Sequence, residues 1–139
     1  MKNYPKYPDN ISLASEPTNE YMIYYSRKGL DMTYLLGLVS RLSLSLKDIA
    51  EILHVSLRTL QRYKKEDRLD KDASSKLLYL SRLESIGLQV FGSHEAFNTW
   101  MRTPTHSLNG QTPLSYLDTP FGFALVEQAL GRIAHGIFA

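Results

Sequence analysis

Residues 44–68, LSLKDIAEILHVSLRTLQRYKKEDR, constrain the fold more than any other stretch of this chain. Ser45 stands where a helix cap belongs, and Asp48 puts a carboxylate near the positive helix end. Leu46, Ile49, Ala50 and Leu53 recur at the three-and-four spacing of one buried helix face. Only His54 and Val55 separate that helix from a second cap, Ser56. The next helix is expected to turn Leu57 and Leu60 inward, with Tyr63 or the Lys64 methylenes extending that face. It leaves Arg58, Thr59, Gln61, Arg62 and Lys65 outward. Two short helices joined by a tight turn, with Ala50 small enough for the backbones to approach, make a helix-turn-helix. His54 occupies the turn position usually held by glycine. A Cβ costs free energy in a left-handed conformation, so a turn slightly different from the commonest form is expected.

The second helix of such a unit lies in the major groove of DNA. Arg58, Gln61 and Arg62 have the chemistry to read base edges there, because Arg pairs in bidentate fashion with guanine and Gln with adenine. Ser56, Thr59, Lys64 and Lys65 suit phosphates. The net charge of +2 is too small to announce nucleic-acid binding, but its distribution is uneven. Residues 45–82 carry nine Lys/Arg against six Asp/Glu, residues 83–139 two against four, and no acid interrupts the eight residues from Arg58 to Lys65. The competing reading is a plain helical hairpin in an all-helical core, its basic residues forming a solvated face.

The rest of the chain reads as helix with almost no strand pattern. Pro5, Pro8 and Pro17 make residues 1–18 an extended or mobile arm. A short helix from Glu20 to Lys28 is expected to end at Gly29, and Asp31 to Leu42 place Tyr34, Leu35, Leu38, Val39 and Leu42 on one face. Asp70 or Asp72 caps a long helix with the stripe Ala73, Leu77, Leu80, Glu84 and Leu88, ended by Gly92. Ser93 opens a helix carrying Phe97, Trp100 and Met101 that stops before Pro104. Thr112-Pro113 and Thr119-Pro120 each read as a cap followed by proline at the first helical position. The last helix is expected to bury Phe121, Leu125, Ala129 and Ile133, flanked by Val126 and Leu130, and to end at Gly136. The domain organisation is therefore an arm over 1–18, a helix-turn-helix domain over 19–82 and a second helical domain over 83–139, all-α throughout.

Composition excludes several classes. With no cysteine, there is no disulfide framework, cysteine zinc site or thiol nucleophile. His54, His94, His106 and His135 lie far apart, without the spacing of a zinc motif, and Asn109-Gly110 is a turn signal rather than a phosphate-binding loop. No enzyme activity, metal or cofactor is expected. The longest apolar runs fall far short of a membrane span, and the N-terminus lacks an apolar leader segment, so a cytoplasmic protein without membrane association is expected.

SLKDIAEILHVSLRTLQRY, SSKLLYLSRLES and the long stretch from VFGSHEAFNTW to RIAHG together resemble the Xre-type antitoxins of RES-Xre toxin-antitoxin pairs. That family has an MbcA/ParS/Xre-like toxin-binding C-terminal domain. The specific part is Val90-Phe91-Gly92, then Trp100, Pro104, Leu108, Gly110, Pro113, Thr119, Gly122 and RIAHG. The resemblance implies a RES-domain toxin that degrades NAD as partner, occlusion of its NAD pocket, and repression of the chain's own operon through operator DNA. A homodimer is expected separately, from the apolar helix faces around residues 30–90 and because a single small reading helix needs a two-fold partner on DNA. It implies toxin contacts from Arg132, His135, Gly136, Ile137, Phe138 and Ala139, with the terminal carboxylate and the Phe138 ring suited to a dinucleotide pocket. On that view residues 83–139 are the toxin-binding domain. The alternative is that Ile137 and Phe138 staple the last helix to the core. A stand-alone dimeric transcription regulator, with a C-terminal domain for a small ligand or another protein, is the alternative function.

Overall fold

A computed structural model describes residues 19–136 of the chain. The expected arm over 1–18 and the tail residues Ile137, Phe138 and Ala139 lie outside the described residues. Among the described residues there are seven α-helices and two short 3₁₀ turns, with two isolated bridges and no strand, so the all-α expectation holds. The chain divides into two compact units between Ser85 and Ile86.

The first unit contains α1 (Asn19–Lys28), α2 (Met32–Arg41), α3 (Leu46–Leu53), α4 (Leu57–Arg62) and most of α5 (Lys71–Phe91). Local side chains start these helices: Asp31 accepts from the Tyr34 N–H at 3.0 Å, and Ser45 and Asp48 form a reciprocal capping box on α3. Asp70, rather than Asp72, caps α5, accepting from the Ala73 N–H at 2.8 Å. Between α1 and α2, Gly29 has φ of 86° and lies so near the segment before α5 that a Cβ would come within 2.6 Å of the Leu69 carbonyl oxygen. Leu69 in turn donates its N–H to the Leu30 carbonyl at 2.8 Å. The buried Ser74 hydroxyl completes the joint, accepting from the Leu30 N–H at 2.9 Å and donating to the Leu69 carbonyl at 3.3 Å. In the same unit Tyr25, Leu35, Leu38, Ile49, Leu60, Leu77 and Leu80 are buried, and burying each of the aliphatic ones is worth about 1.5–3 kcal/mol.

The second unit holds the end of α5, then α6 (His94–Met101), two 3₁₀ turns over His106–Leu108 and Pro113–Tyr116, and α7 (Pro120–Ala134). Ser93 caps α6, accepting from Ala96 at 3.1 Å, and Thr119 caps α7, accepting from Gly122 at 3.0 Å. Pro113 and Pro120 sit at the first turns as expected. Phe97 is buried against Phe91 and Trp100, with ring centroids 6.3 Å away in each case. The last helix departs from its expected face. Phe121 is 83% exposed and Leu125 44% exposed, while Gly122, Phe123, Val126, Ala129 and Leu130 are buried. Successive residues advance about 100° round a helix, so a strict four-residue repeat winds by about 40° a step and cannot hold one face. The mixed four-and-three spacing of 122, 126, 129, 130 can hold it.

Candidate functional site

The first candidate surface is the exposed side of α4. The turn before it keeps the left-handed form despite the Cβ of His54, at φ 57° and ψ 42°. The Val55 N–H returns to the Ala50 carbonyl at 3.1 Å. This places Ser56 as the cap of α4: its Oγ accepts from the Thr59 N–H at 3.0 Å and pairs with Thr59 Oγ1 at 2.8 Å. Both hydroxyls are thus engaged in starting the helix. Arg58, Gln61 and Arg62 are all exposed and share one face by their spacing.

Two sequence expectations about α4 need correction. Leu57 does not turn inward but is 39% exposed, leaving Leu60 as the buried anchor of this helix. The helix also ends at Arg62, where Tyr63 leaves in an extended conformation. Lys64 and Lys65, expected on the same helix, lie in the following turn. Asp67 closes that turn, accepting from the Lys64 N–H at 2.8 Å, and the Lys65 carbonyl accepts from the Thr33 N–H at 3.3 Å at the start of α2. Both lysines remain exposed.

The second candidate surface is the outer side of α7. Phe121, Leu125, Gln128, Arg132 and His135 are exposed and recur at spacings of four, three, four and three, so they line one stripe opposite the buried face. Arg132 and His135 are among the residues that the sequence points to. Phe121 and Leu125, expected in the core, are exposed instead, and the drift of a four-residue row is the signal against that expectation. Gly136 is exposed with φ of 73°, just beyond the helix.

Residues 23–82 match the model of the antitoxin Xre-like helix-turn-helix domain, and residues 87–136 match that of the antitoxin Xre/MbcA/ParS C-terminal toxin-binding domain. The chain belongs to the Xre-type antitoxins. Their role is to bind a toxin rather than to catalyse a reaction, and a toxin is therefore this antitoxin's partner.

Relatives agree with that placement. The antitoxin is 28% identical over 123 residues to the Prs ADP-ribosylating antitoxin of Sphingobium sp. (strain YBL2), covering 81% of this chain and 77% of that protein. It is 32% identical over 95 residues to an antitoxin Xre of Yersinia enterocolitica, covering 65% of this chain and 64% of the relative. A further antitoxin Xre, from Photorhabdus laumondii, is 30% identical over 92 residues, with 65% and 62% covered. The chain thus spans just under two thirds of the length of these two Xre relatives. In fold it is similar to a chain of the crystal structure of the M. tuberculosis MbcT-MbcA toxin-antitoxin complex, with a TM-score of 0.56, 22% identity, and 77% of this chain and 96% of that one covered. Among the described residues of this antitoxin, no helix is long and apolar enough to cross a membrane.

Proposed function

We propose that this antitoxin neutralises a RES-type toxin that consumes NAD, by covering the pocket where the dinucleotide binds, and that as a homodimer it represses its own operon. The observation that carries the reading is the pairing of two unlike surfaces in one chain. One is an exposed reading helix with Arg58, Gln61 and Arg62. The other is a toxin-binding domain whose last helix exposes Phe121 and Leu125 beside Arg132 and His135. Residues 83–139 carry two basic side chains against four acidic ones. Of those acids Glu84 is buried against Arg41 in the first unit, which leaves Glu95, Asp118 and Glu127 beside Arg102 and Arg132 in the second, a unit without the basic excess that binding DNA requires. The name of the Sphingobium relative points to ADP-ribosyl transfer, a chemistry that also consumes NAD. On this reading the toxin contacts are the outer stripe of α7, Arg132, His135 and Gly136, together with Ile137, Phe138 and Ala139. Arg58, Gln61 and Arg62 read bases, while Lys64 and Lys65 hold phosphates from the turn after α4. Two copies are needed because a single reading helix of this size addresses one half-site.

The test is co-expression with the toxin from the neighbouring reading frame while cellular NAD and protein-linked ADP-ribose are followed. The toxin alone should deplete NAD, and the intact antitoxin should prevent it. A chain lacking residues 132–139 and a Phe121→Glu chain should both fail to protect while still shifting operator DNA. Protection by both variants would refute the α7 assignment. Unchanged NAD with active toxin would refute the proposed chemistry, and a rise in protein-linked ADP-ribose would assign the NAD loss to transfer rather than to degradation.

A further inference from the structure

α1 is held to the first unit by one side. Tyr25 is buried, and the Tyr21 and Tyr24 rings pack on it with centroids 4.8 and 5.0 Å away. On the other side Glu20, Ile23 and Arg27 are exposed, and their spacings of three and four put them on one stripe. Ile23 is 50% exposed, as much apolar surface as this small unit offers at any large aliphatic residue. It borders a cleft of about 530 Å³ between α1 and α5, lined also by Met22, Arg27, Lys71, Tyr79 and Arg82. Tyr79, another exposed large hydrophobic residue of the unit, is 40% exposed in that same cleft. Two apolar side chains that would each be unremarkable alone therefore share one concave site rimmed by cations.

The order of chemistry along α1, besides suiting its own dipole, suits a second copy of the same helix. An acid lies near the helix start, an isoleucine at the middle and bases at the end: Glu20, Ile23, then Arg27 and Lys28. A two-fold axis crossing the helix near Ile23 would lay a second α1 antiparallel to the first. Ile23 would then meet its own copy, and Glu20 of each helix would meet Arg27 of the other. This is the self-complementarity that an isologous interface requires, where one patch must serve both partners. Antiparallel helices also set opposite dipole ends side by side. An external protein would need no such palindrome of charge, and an acidic peptide alone would leave Glu20 facing like charge.

We infer that the α1 stripe and its cleft are the surface through which two copies of this chain pair. The inference rests on the homodimer reading above and adds the surface to it. α1 is only ten residues long, so its contact lies at the low end of stable interfaces and the dimer dissociates as the protein is diluted.

Sedimentation of the full chain over a dilution series tests this. Ile23→Glu should weaken self-association by roughly tenfold or more, because it buries a charge against its own copy, and should leave the melting temperature of the diluted monomer nearly unchanged because Ile23 is half exposed. Glu20→Arg and Arg27→Glu should each weaken the dimer several-fold. The combination Glu20→Arg/Arg27→Glu should restore it, since reversing both ends of a self-complementary stripe recreates the match. A dimer indifferent to all four variants would overturn this surface while leaving the homodimer reading intact. A monomer at every concentration would overturn both. Ile23→Glu that dimerises normally but no longer binds toxin would assign the cleft to the toxin and overturn the inference.

Discussion

Arg41 grips Glu84 at two points, Nε to Oε2 at 2.8 Å and Nη2 to Oε1 at 3.2 Å, joining the end of α2 to the middle of α5. The acid is the more buried partner, with 7% of its side chain exposed against 29% for the arginine. The two halves of the pair should therefore be unequal in their loss. Glu84→Leu leaves a guanidinium that still reaches water, and should cost about 1–3 kcal/mol. Arg41→Met leaves the carboxylate in the apolar stripe of α5 without its guanidinium and should cost more, approaching the about 3–5 kcal/mol of broken buried pairs. The double variant should be less destabilised than the sum of the two. Urea unfolding of the three variants measures this, and strict additivity would contradict it.

Next to that pair, Tyr34 reaches Ser81 through its hydroxyl, again from α2 to α5. Burial raises the Tyr34 phenol above its ordinary value near 10, outweighing the opposing pull of the Ser81 hydrogen bond and the Arg41 charge. Burial, and then the neighbouring Tyr25, raises Tyr21 as well. The sign follows from linkage. The folded chain keeps protons that the unfolded chain releases from about pH 10, so this stability is fully present below pH 10 and is lost as pH rises toward the folded values. The denaturant midpoint should be flat through pH 8–9 and fall above pH 10, by at most about 1.4 kcal/mol per pH unit per tyrosine. Tyr34→Phe should lower stability at neutral pH and flatten the alkaline fall.

The hydroxyl of Ser74 is one of few polar groups in the core of the first unit, and it serves the backbone at Leu30 and Leu69 together. Ser74→Ala removes the acceptor of a buried N–H. It should cost about 1–3 kcal/mol in equilibrium unfolding, whereas Ser75→Ala one residue later, whose hydroxyl only returns to the Lys71 carbonyl at 2.8 Å on an exposed turn, should cost less than about 1 kcal/mol. Equal losses would mean that the joint between α1, α2 and α5 is held by something other than this hydroxyl.

What the sequence disclosed follows the range of each interaction. Ser45, Ser56, Ser93 and Thr119 were legible as caps because the bond each makes reaches only three residues onward. Gly29 was legible as a helix stop, but not the Leu69 carbonyl that forbids a Cβ there, because that neighbour comes from forty residues downstream in the chain. Glu84 stood in an apolar stripe without an explanation until Arg41, 43 residues away, supplied one. The end of α4 differs from expectation because the turn after it is held from outside residues 57–65: Asp67 accepts from the Lys64 N–H, and the Lys65 carbonyl accepts from Thr33. The face of α7 differs, since its error was one of period, and local geometry alone could have corrected it.

Reading by α4 should separate into two kinds of loss on operator DNA. Arg58→Ala or Arg62→Ala should cost about 1–3 kcal/mol on the operator and relax the preference at one base pair, leaving random DNA nearly untouched. Lys64→Ala or Lys65→Ala should weaken operator and random DNA alike and reduce the salt slope by about one counterion. Titrations at several fixed salt concentrations distinguish these. Unchanged operator affinity in both arginine variants would remove α4 from the reading role. His54→Val belongs in the same series as a control on the turn. A β-branched residue is poorly accommodated at φ 57°, so this variant should lose about 1–2 kcal/mol of stability and should lose DNA binding only where it loses fold.

Phe121 and Gly122 are neighbours with opposite fates, and that contrast is the sharpest test of the toxin-binding unit. A Cβ on Gly122 would come within 1.6 Å of the Tyr116 carbonyl oxygen, which is backbone and cannot swing aside. Gly122→Ala should therefore displace the first turn of α7 from the 3₁₀ turn before it, costing about 1–3 kcal/mol or more, and toxin protection should fall in step with stability. Phe121 is 83% exposed, so Phe121→Glu should leave the unfolding midpoint within about 0.5 kcal/mol of the parent chain. If α7 presents this stripe to the toxin, that variant should nonetheless lose about 2 kcal/mol or more of toxin affinity, as aromatic anchors at interfaces commonly do. Leu125→Glu, one turn along the stripe, should behave likewise, and Ala124→Glu, about 60° away from Phe121 round the helix, should lose less. Calorimetric titration against the toxin, read beside thermal unfolding of each free variant, keeps the two effects apart. A Phe121→Glu chain that binds toxin with undiminished affinity would move the interface off this stripe, whatever Gly122→Ala does.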